Sequence, residues 1–369
     1  MTARQFYITL CLVVISLKVQ KLPSLIAADL GKDSYLLVLA YLLINLLLIA
    51  LAFFILKKTE GSPFFGKTKS GFLNVLKKIL SLCIVVYFLS QGLLLFEAIQ
   101  NLFAHVLFYE LPWTLFSLML VFAVFYLAFT GIKNISLNFE LYAVLIIISY
   151  IVISIFGGTK TDFESILPFQ TIDFKQVAGG LIDFNLWFGD FFLVLIMGKH
   201  AKHIKFKWTA LVYTISMLFV SLLFVEFFGI YQDYTPMKPS LISVLSEQSM
   251  LGVNIGRVDW FFILFTEIGT ILSAGVCLYF AKKCFEYIFP KAKSVWLLIG
   301  LMLVIYLVDI FYLVDIQKQV ELFVDYAKYF AVGIKLFTIA ILFFVAVKQR
   351  QKKDEKNCDS KLEKAGDER

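Results

Sequence analysis

Two apolar stretches decide how this chain folds: LVVISLKVQKLPSLIAADL at residues 12–30 and GGLIDFNLWFGDFFLVLIM at residues 179–197. Each has the length of a membrane-spanning helix but carries polar residues near its middle. In the first, a lysine-rich segment stands just before Pro23, which removes a helix donor and disfavours helical geometry at the residue before it. In the second, glycines and polar residues alternate with apolar ones. Both spans are therefore predicted to be broken helices.

The composition excludes a water-soluble protein. Of 369 residues, 60% are hydrophobic and 17% are charged, whereas soluble domains average about 45–50% and 25%. We expect one transmembrane domain at residues 1–347 and a charged, disordered tail at residues 348–369. Windows of about 20 apolar residues predict ten spans, near residues 5–29, 34–56, 79–101, 113–132, 137–157, 176–198, 208–230, 258–281, 294–314 and 329–347.

The basic residues predict the orientation of these spans, because loops rich in Lys and Arg stay in the cytoplasm. One set of alternate loops, which includes both termini, holds 24 Lys and Arg residues, and the other set holds 7. Both termini are thus predicted to be cytoplasmic. The three remaining basic residues, Lys18, Lys21 and Lys335, lie within predicted spans.

Metal, cofactor and nucleic-acid binding are not indicated. The five cysteines form no C-x-x-C pair, which argues against a disulfide framework or a zinc site. His200 and His203 stand at H-x-x-H spacing, but the surrounding lysines would repel a metal cation. The aromatic residues are not interleaved with basic ones as in nucleic-acid-binding modules. We expect no metal, no cofactor, no catalytic residue and no nucleic-acid partner.

Ionisable and polar side chains at mid-membrane depth are the candidate functional residues. A charged group there costs about 2.5–3.5 kcal/mol on insertion scales, so it calls for a partner, a cavity or a function. Four other carboxylates, Glu97, Glu140, Glu226 and Asp309, lie nearer the faces and are interpreted as interfacial or packing groups that hydration relieves. The candidate substrate-binding residues are Lys18, Gln20, Lys21, Gln91, Asp183, Asn185, Asp190, Glu267 and Thr270.

The cations of span 1 and the carboxylates of span 6 have opposite charges and could neutralise each other. We predict that Lys18 pairs with Asp190, with Asp183 or Glu267 as the alternative partner. A purely structural ion pair is as open an interpretation as a binding site. Two interrupted helices that open successive groups of five spans are typical of inverted-repeat transporters, which bind substrate between the broken helices. Ordinary kinked helices are the alternative.

Short motifs that follow one another along the chain resemble the spore-germination permease family, the B subunits of bacterial nutrient-germinant receptors. They are Thr2-Ala3-Arg4-Gln5-Phe6, Leu22-Pro23-Ser24-Leu25-Ile26-Ala27-Ala28-Asp29, Gly31-Lys32-Asp33-Ser34, Leu111-Pro112-Trp113-Thr114, Gly131-Ile132 with Ile135, Leu167-Pro168, Phe188-Gly189-Asp190 and Arg257-Val258-Asp259. The resemblance implies the amino acid–polyamine–organocation superfamily fold, an all-α polytopic membrane protein with two inverted five-helix repeats. The sequence departs from that superfamily at Lys18-Val19-Gln20-Lys21, where a glycine-rich break is usual.

The resemblance also implies a function. The preferred hypothesis is a germinant-receptor subunit in the bacterial cytoplasmic membrane or spore inner membrane. It would recognise, and could transport, an amino acid or similar small nutrient, and its partners would be a large membrane subunit and a lipoprotein. A proton-coupled amino-acid permease is the first alternative. A membrane glycan polymerase or transferase is the second, although the outward loops carry only scattered charges and one histidine, His105.

Overall fold

A computed structural model describes residues 1–58, 71–103, 113–164, 174–237, 259–311, 325–341 and 343. These residues form an all-helical protein in which no strand occurs, as predicted. The helices are α1 (Ala3–Val19), α2 (Leu22–Leu30), α3 (Ser34–Lys58), α4 (Gly71–Leu102), α5 (Trp113–Thr130), α6 (Ile132–Gly158), α7 (Phe174–Asp183), α8 (Asp190–Gly198), α9 (Phe206–Tyr231), α10 (Asp259–Ile288), α11 (Ser294–Phe311) and α12 (residues 327–341).

Six helical stretches in the described part of the chain are long and apolar enough to cross a membrane, and one bent helix pair makes a seventh. One of the six runs over Leu22–Lys57, although Gly31, at φ 53° and ψ −129°, turns the chain between α2 and α3. The predicted count of ten spans and the inverted repeat stay predictions. The predicted tail at residues 348–369 lies outside the described residues.

The first predicted break is confirmed. α1 begins with a capping box between Thr2 and Gln5 and ends at Val19. Gln20 follows with a non-helical backbone, at φ −77° and ψ −101°, and α2 starts only at Leu22. Pro23 lies at the start of α2, where a missing N–H leaves no helical hydrogen bond unmade. The proline thus begins the second arm of the broken helix.

The second predicted break is confirmed as well. α7 ends at Asp183, a 3-10 turn covers Asn185–Phe188, and α8 begins after Gly189. The two arms of this span are bent by 74°. A Cβ atom at Gly189 would overlap the hydroxyl and ring of Tyr87, so a larger residue here would have to displace that side chain. Trp187 is buried within the 3-10 turn, with its ring 6.2 Å from that of Phe184.

The helices surround α1, which lies at the centre of the packed structure. From Leu12 to Val19 every side chain of α1 is buried, and the helix packs against α6, α8, α9 and α10. α3 packs against α7, α8 and α9 around the second break. Large apolar side chains on the outer helices are instead exposed, among them Leu47 at 74%, Phe122 at 64% and Leu141 at 69%. An apolar exterior around a polar centre is what a lipid-embedded bundle requires.

Candidate functional site

Lys18 of α1 and Asp190 of α8 form a buried ion pair where the two broken spans meet. Lys18 Nζ lies 2.7 Å from Asp190 Oδ1, and the side chains are 0% and 1% exposed. The Tyr213 hydroxyl donates to Asp190 Oδ2 at 2.8 Å, and Lys18 Nζ lies 5.3 Å from the centre of the Phe188 ring. Asp190 also opens α8, where the helix dipole favours a negative charge. The predicted contact between Lys18 and Asp190 is therefore present.

Gln20, at the end of α1, is held by α10. Its Nε2 donates to Glu267 Oε1 at 2.9 Å and to Thr270 Oγ1 at 3.0 Å. The Thr270 hydroxyl in turn donates to the Thr266 carbonyl at 3.1 Å. Three of the predicted site residues thus come together in one hydrogen-bonded group, although Glu267 is not the partner of Lys18.

The side chain of Lys21 does not join that group and instead extends to α4. Lys21 Nζ lies 2.6 Å from Glu97 Oε1, with the side chains 16% and 1% exposed. Asn101, one turn along α4, donates to the same carboxylate oxygen at 2.8 Å. The three polar residues of the first break therefore contact three different helices: α8 through Lys18, α10 through Gln20 and α4 through Lys21.

Backbone carbonyl groups that the second break frees are hydrogen-bonded by side chains of neighbouring helices. The Tyr87 hydroxyl and Gln91 Nε2 both donate to the Leu186 carbonyl, at 2.9 Å and 2.5 Å. The Tyr41 hydroxyl donates to the Leu181 carbonyl at 2.7 Å. Such partners are required because a membrane interior offers no water to unpaired backbone groups. Gln91 of α4 thus lies beside the second break, and Asn185 lies within it.

Lys335 of α12 completes this second group and was missed as a candidate from the sequence. Its Nζ donates to the Asn185 carbonyl at 2.7 Å, to the Phe188 carbonyl at 3.1 Å and to Asn185 Oδ1. The Tyr41 ring stacks on Phe188, with centres 3.8 Å apart and planes at 7°. In the sequence, the one sign of its role is that a lysine lies inside the tenth predicted span.

Asp183 does not join the central group, so the alternative that it pairs with Lys18 is wrong. It pairs instead with Lys328 at 2.9 Å, and the two side chains are 32% and 18% exposed. Asp183 is the last residue of α7, which packs against α2 and α3, whereas α8, after the bend, packs against α1. The position of a residue within a predicted span does not give its depth in the membrane when the helix bends next to that residue.

Hydration does not relieve three of the four carboxylates that were placed near the faces. The fourth, Glu140, is 24% exposed and pairs with Arg4 at 3.1 Å. Glu97, Glu226 and Asp309 are at most 3% exposed. Glu226 accepts a hydrogen bond from Ser154 at 2.7 Å, and Asp309 accepts from Ser117 at 2.6 Å and from Gln100 at 2.8 Å. Their interpretation as packing groups fits, but the expected hydration is wrong because hydrogen-bond donors on adjacent helices take its place.

The two histidines lie in the loop between α8 and α9. Burial and the charges of Lys199 and Lys283 lower the pKa of His200, so this loop favours the neutral form of the ring. Within the described residues, no group of three or more His, Cys, Asp or Glu residues could hold a metal ion. The central site instead offers two fixed ammonium groups, one carboxylate and a set of hydrogen-bonding groups, which suit binding of a polar solute.

Comparison with protein families gives one match, which covers most of the chain. The family is described as "Spore germination protein", and it matches residues 1–318. A search of curated proteins finds no significant match. The matched residues contain both breaks and, with the exception of Lys335, the central polar groups described above.

Proposed function

Because this chain belongs to the spore germination protein family, we propose that it is a transporter-like subunit of a nutrient-germinant receptor. It recognises an amino acid or a similar small nutrient between its two broken helices. The family is permease-like and non-enzymatic, which agrees with a binding role. The observation that carries the proposal is the buried Lys18–Asp190 pair, which joins the two breaks.

A zwitterionic ligand fits the charges at this pair. An amino acid carries one ammonium and one carboxylate group, and the pair offers the opposite charge to each. The ligand would exchange the protein's own ion pair for two new ones, with its ammonium on Asp190 and its carboxylate on Lys18. Such an exchange leaves no buried charge unpaired, which is the condition for a favourable electrostatic change in a low-dielectric site. The backbone and side-chain groups at Asn185 and Gln91 would supply hydrogen bonds.

The test is germination of spores that carry this gene, with its neighbouring receptor genes, as the sole nutrient receptor. Single amino acids should trigger germination, and Asp190→Asn should abolish the response when these spores are compared with spores that contain the same amount of the parent subunit. Asp183→Asn, which alters a partly exposed carboxylate of the same span, is the matched control and should respond like the parent protein. An equal response of the Asp190→Asn spores would remove the proposed site.

Sensing and transport are separated by uptake of labelled amino acid into liposomes that contain the purified chain. Uptake above that of empty liposomes would favour a permease, whereas binding without uptake would favour a receptor subunit. The partners proposed for a receptor are a large membrane subunit and a lipoprotein, and they should copurify with the full chain from spore membranes.

The proposed location is the bacterial cytoplasmic membrane or spore inner membrane, with both termini in the cytoplasm. Cysteine labelling tests the orientation. An impermeant thiol reagent added outside should modify a cysteine at position 236 and leave one at position 203 unmodified. The opposite pattern would reverse the proposed topology.

A further inference from the structure

Five buried carboxylates of the described structure fall into two classes. Asp190 and Glu97 each lie within 2.7 Å of a lysine ammonium. Glu226, Glu267 and Asp309 have no cationic partner among the residues that the structure describes, and each has one carboxylate oxygen without a hydrogen-bond partner there. Glu267 is special within the second class because its other oxygen holds Gln20 at the break of span 1.

Glu267 is fully enclosed by packed helices. Its side chain is 1% exposed. Two residues farther along, α10 approaches α1 and α6 closely: a Cβ atom at Gly269 would lie 3.4 Å from Ser16 Oγ and 3.4 Å from Ile146. Oε2 of Glu267 is thus a buried polar atom without a partner in the described structure, at a place where three helices meet.

The lysines of the two breaks are bound to groups other than Glu267. Lys18 of α1 is bound to Asp190, and Lys21 of the first break is bound to Glu97 of α4. Lys335 of α12 donates to oxygens of the second break. The titratable group on α6 that faces Glu267 is the buried Tyr150.

These contacts favour the neutral, protonated form of the Glu267 carboxyl group. An ionised carboxylate that is buried without a cation loses far more hydration energy than one hydrogen bond from an amide returns. The neutral acid suits the observed contacts, because Oε1 accepts from Gln20 as a carbonyl oxygen would, and Oε2 is then the hydroxyl oxygen.

We propose that Glu267 is a proton-binding site, and that its protonation controls the break between α1 and α2. Loss of the proton to water leaves a buried carboxylate that needs a cation. Lys21, the residue after Gln20, is the nearest cation along the chain, and Glu97 now holds it. The negative charge therefore draws Lys21 from Glu97 or admits water, and either change rearranges the break. The ion bound here is a proton, distinct from the nutrient of the proposed function.

Infrared spectroscopy of the full chain in liposomes tests the protonation directly. At neutral pH the spectrum should contain the carbonyl band of a protonated carboxylic acid that is absent in Glu267→Gln and present in Glu226→Gln. That component should disappear in alkaline buffer. If Glu267→Gln and the parent protein share the same carboxylic acid bands at every pH, Glu267 is ionised and the proposal is wrong.

A second measurement tests the coupling to the break. A cysteine at position 19, read by mass spectrometry after labelling with a membrane-permeant maleimide, should react faster in alkaline than in acidic buffer after correction for the reagent's own pH dependence. We expect a change within the five- to 150-fold range that is typical of coupled sites. Glu267→Gln should abolish the change, and Glu226→Gln should retain it.

A pH-independent labelling rate in the parent protein would overturn the coupling. Replacement of sodium by choline distinguishes a proton from a metal cation. A labelling rate that follows sodium and ignores pH would also contradict the proposal. Since no nutrient is present in these measurements, their failure is separate from failure of the proposed nutrient site.

Discussion

Both broken helices place polar groups in the membrane interior, and different kinds of partner bind these groups at the two breaks. At the first break the contacts join side chains: the ammonium groups of Lys18 and Lys21 and the amide of Gln20 reach carboxylates on α8, α4 and α10. At the second break the contacts join side chains to backbone, since Tyr41, Tyr87, Gln91 and Lys335 donate to carbonyl groups freed by the bend. The first break is thus held by charged and polar side-chain pairs, and the second is held by side chains that bond to its backbone.

The difference follows from how much helix is lost. The first break interrupts α1 and α2 at Gln20 and Lys21 only, so few backbone groups are left open. The second extends from Phe184 to Gly189 and frees several carbonyl groups, which must be satisfied by donors from outside the span. Substitutions should therefore have larger and more interdependent effects at the first break than at the second.

The largest effect is expected from Lys18 and Asp190. Lys18→Met or Asp190→Asn alone should lower the free energy of unfolding by about 3–5 kcal/mol, because each leaves one buried charge without its partner. The double substitution should recover part of the loss. Unfolding in mixed detergent micelles gives the double-mutant cycle, and simple additivity would mean that the two residues do not interact.

Lys335→Met should have the next largest effect, at the second break. It removes a charged donor from three oxygen atoms, and hydrogen bonds to charged groups contribute about 1.5–3 kcal/mol. The same unfolding assay measures it. Unlike the Lys18 variant, it should not be rescued by Asp190→Asn, because Lys335 bonds to the backbone and to Asn185. Rescue would show that the two breaks share one electrostatic network.

Gly189→Ala should cost about 1–3 kcal/mol, the usual range for overpacking. The added methyl group would overlap the Tyr87 side chain, and Tyr87 also bonds the Leu186 carbonyl. Gly179→Ala is the matched control, since a Cβ atom there meets nothing within 4 Å. It should be neutral or stabilising because alanine favours a helix interior. Equal destabilisation by both would show that the bend does not depend on this close approach.

The smallest effect is expected for the ion pair at the rim of the second break. Asp183→Asn should change the free energy of unfolding by about 0–1 kcal/mol, because partly exposed pairs are screened by solvent. Added salt should weaken this small contribution and leave the Lys18–Asp190 coupling nearly unchanged. A loss as large as that of Asp190→Asn would contradict the distinction between the buried Lys18–Asp190 pair and the partly exposed Asp183–Lys328 pair.

The sequence predicted the helical class, both breaks and the Lys18–Asp190 contact because these depend on local features: apolar length, Pro23, the glycines and opposite charges in two spans. It misjudged Asp183, since a residue beside a bend does not lie at the depth that its position in a straight helix implies. It overlooked Lys335 because the carbonyl groups that Lys335 binds become available only once the second break has formed. Three-dimensional partners of that kind have no signature in the sequence of α12.

The burial of Trp187 has an optical consequence. Trp187 lies in the 3-10 turn of the second break at 2% exposure, whereas Trp208 and Trp296 are 51% and 69% exposed on the outer surface of the bundle. Indole emission moves to longer wavelength when water reaches the ring. A change at the second break would therefore move the emission of one tryptophan without the attachment of a dye. A lipid-soluble quencher would suppress the emission of Trp208 and Trp296 before that of Trp187.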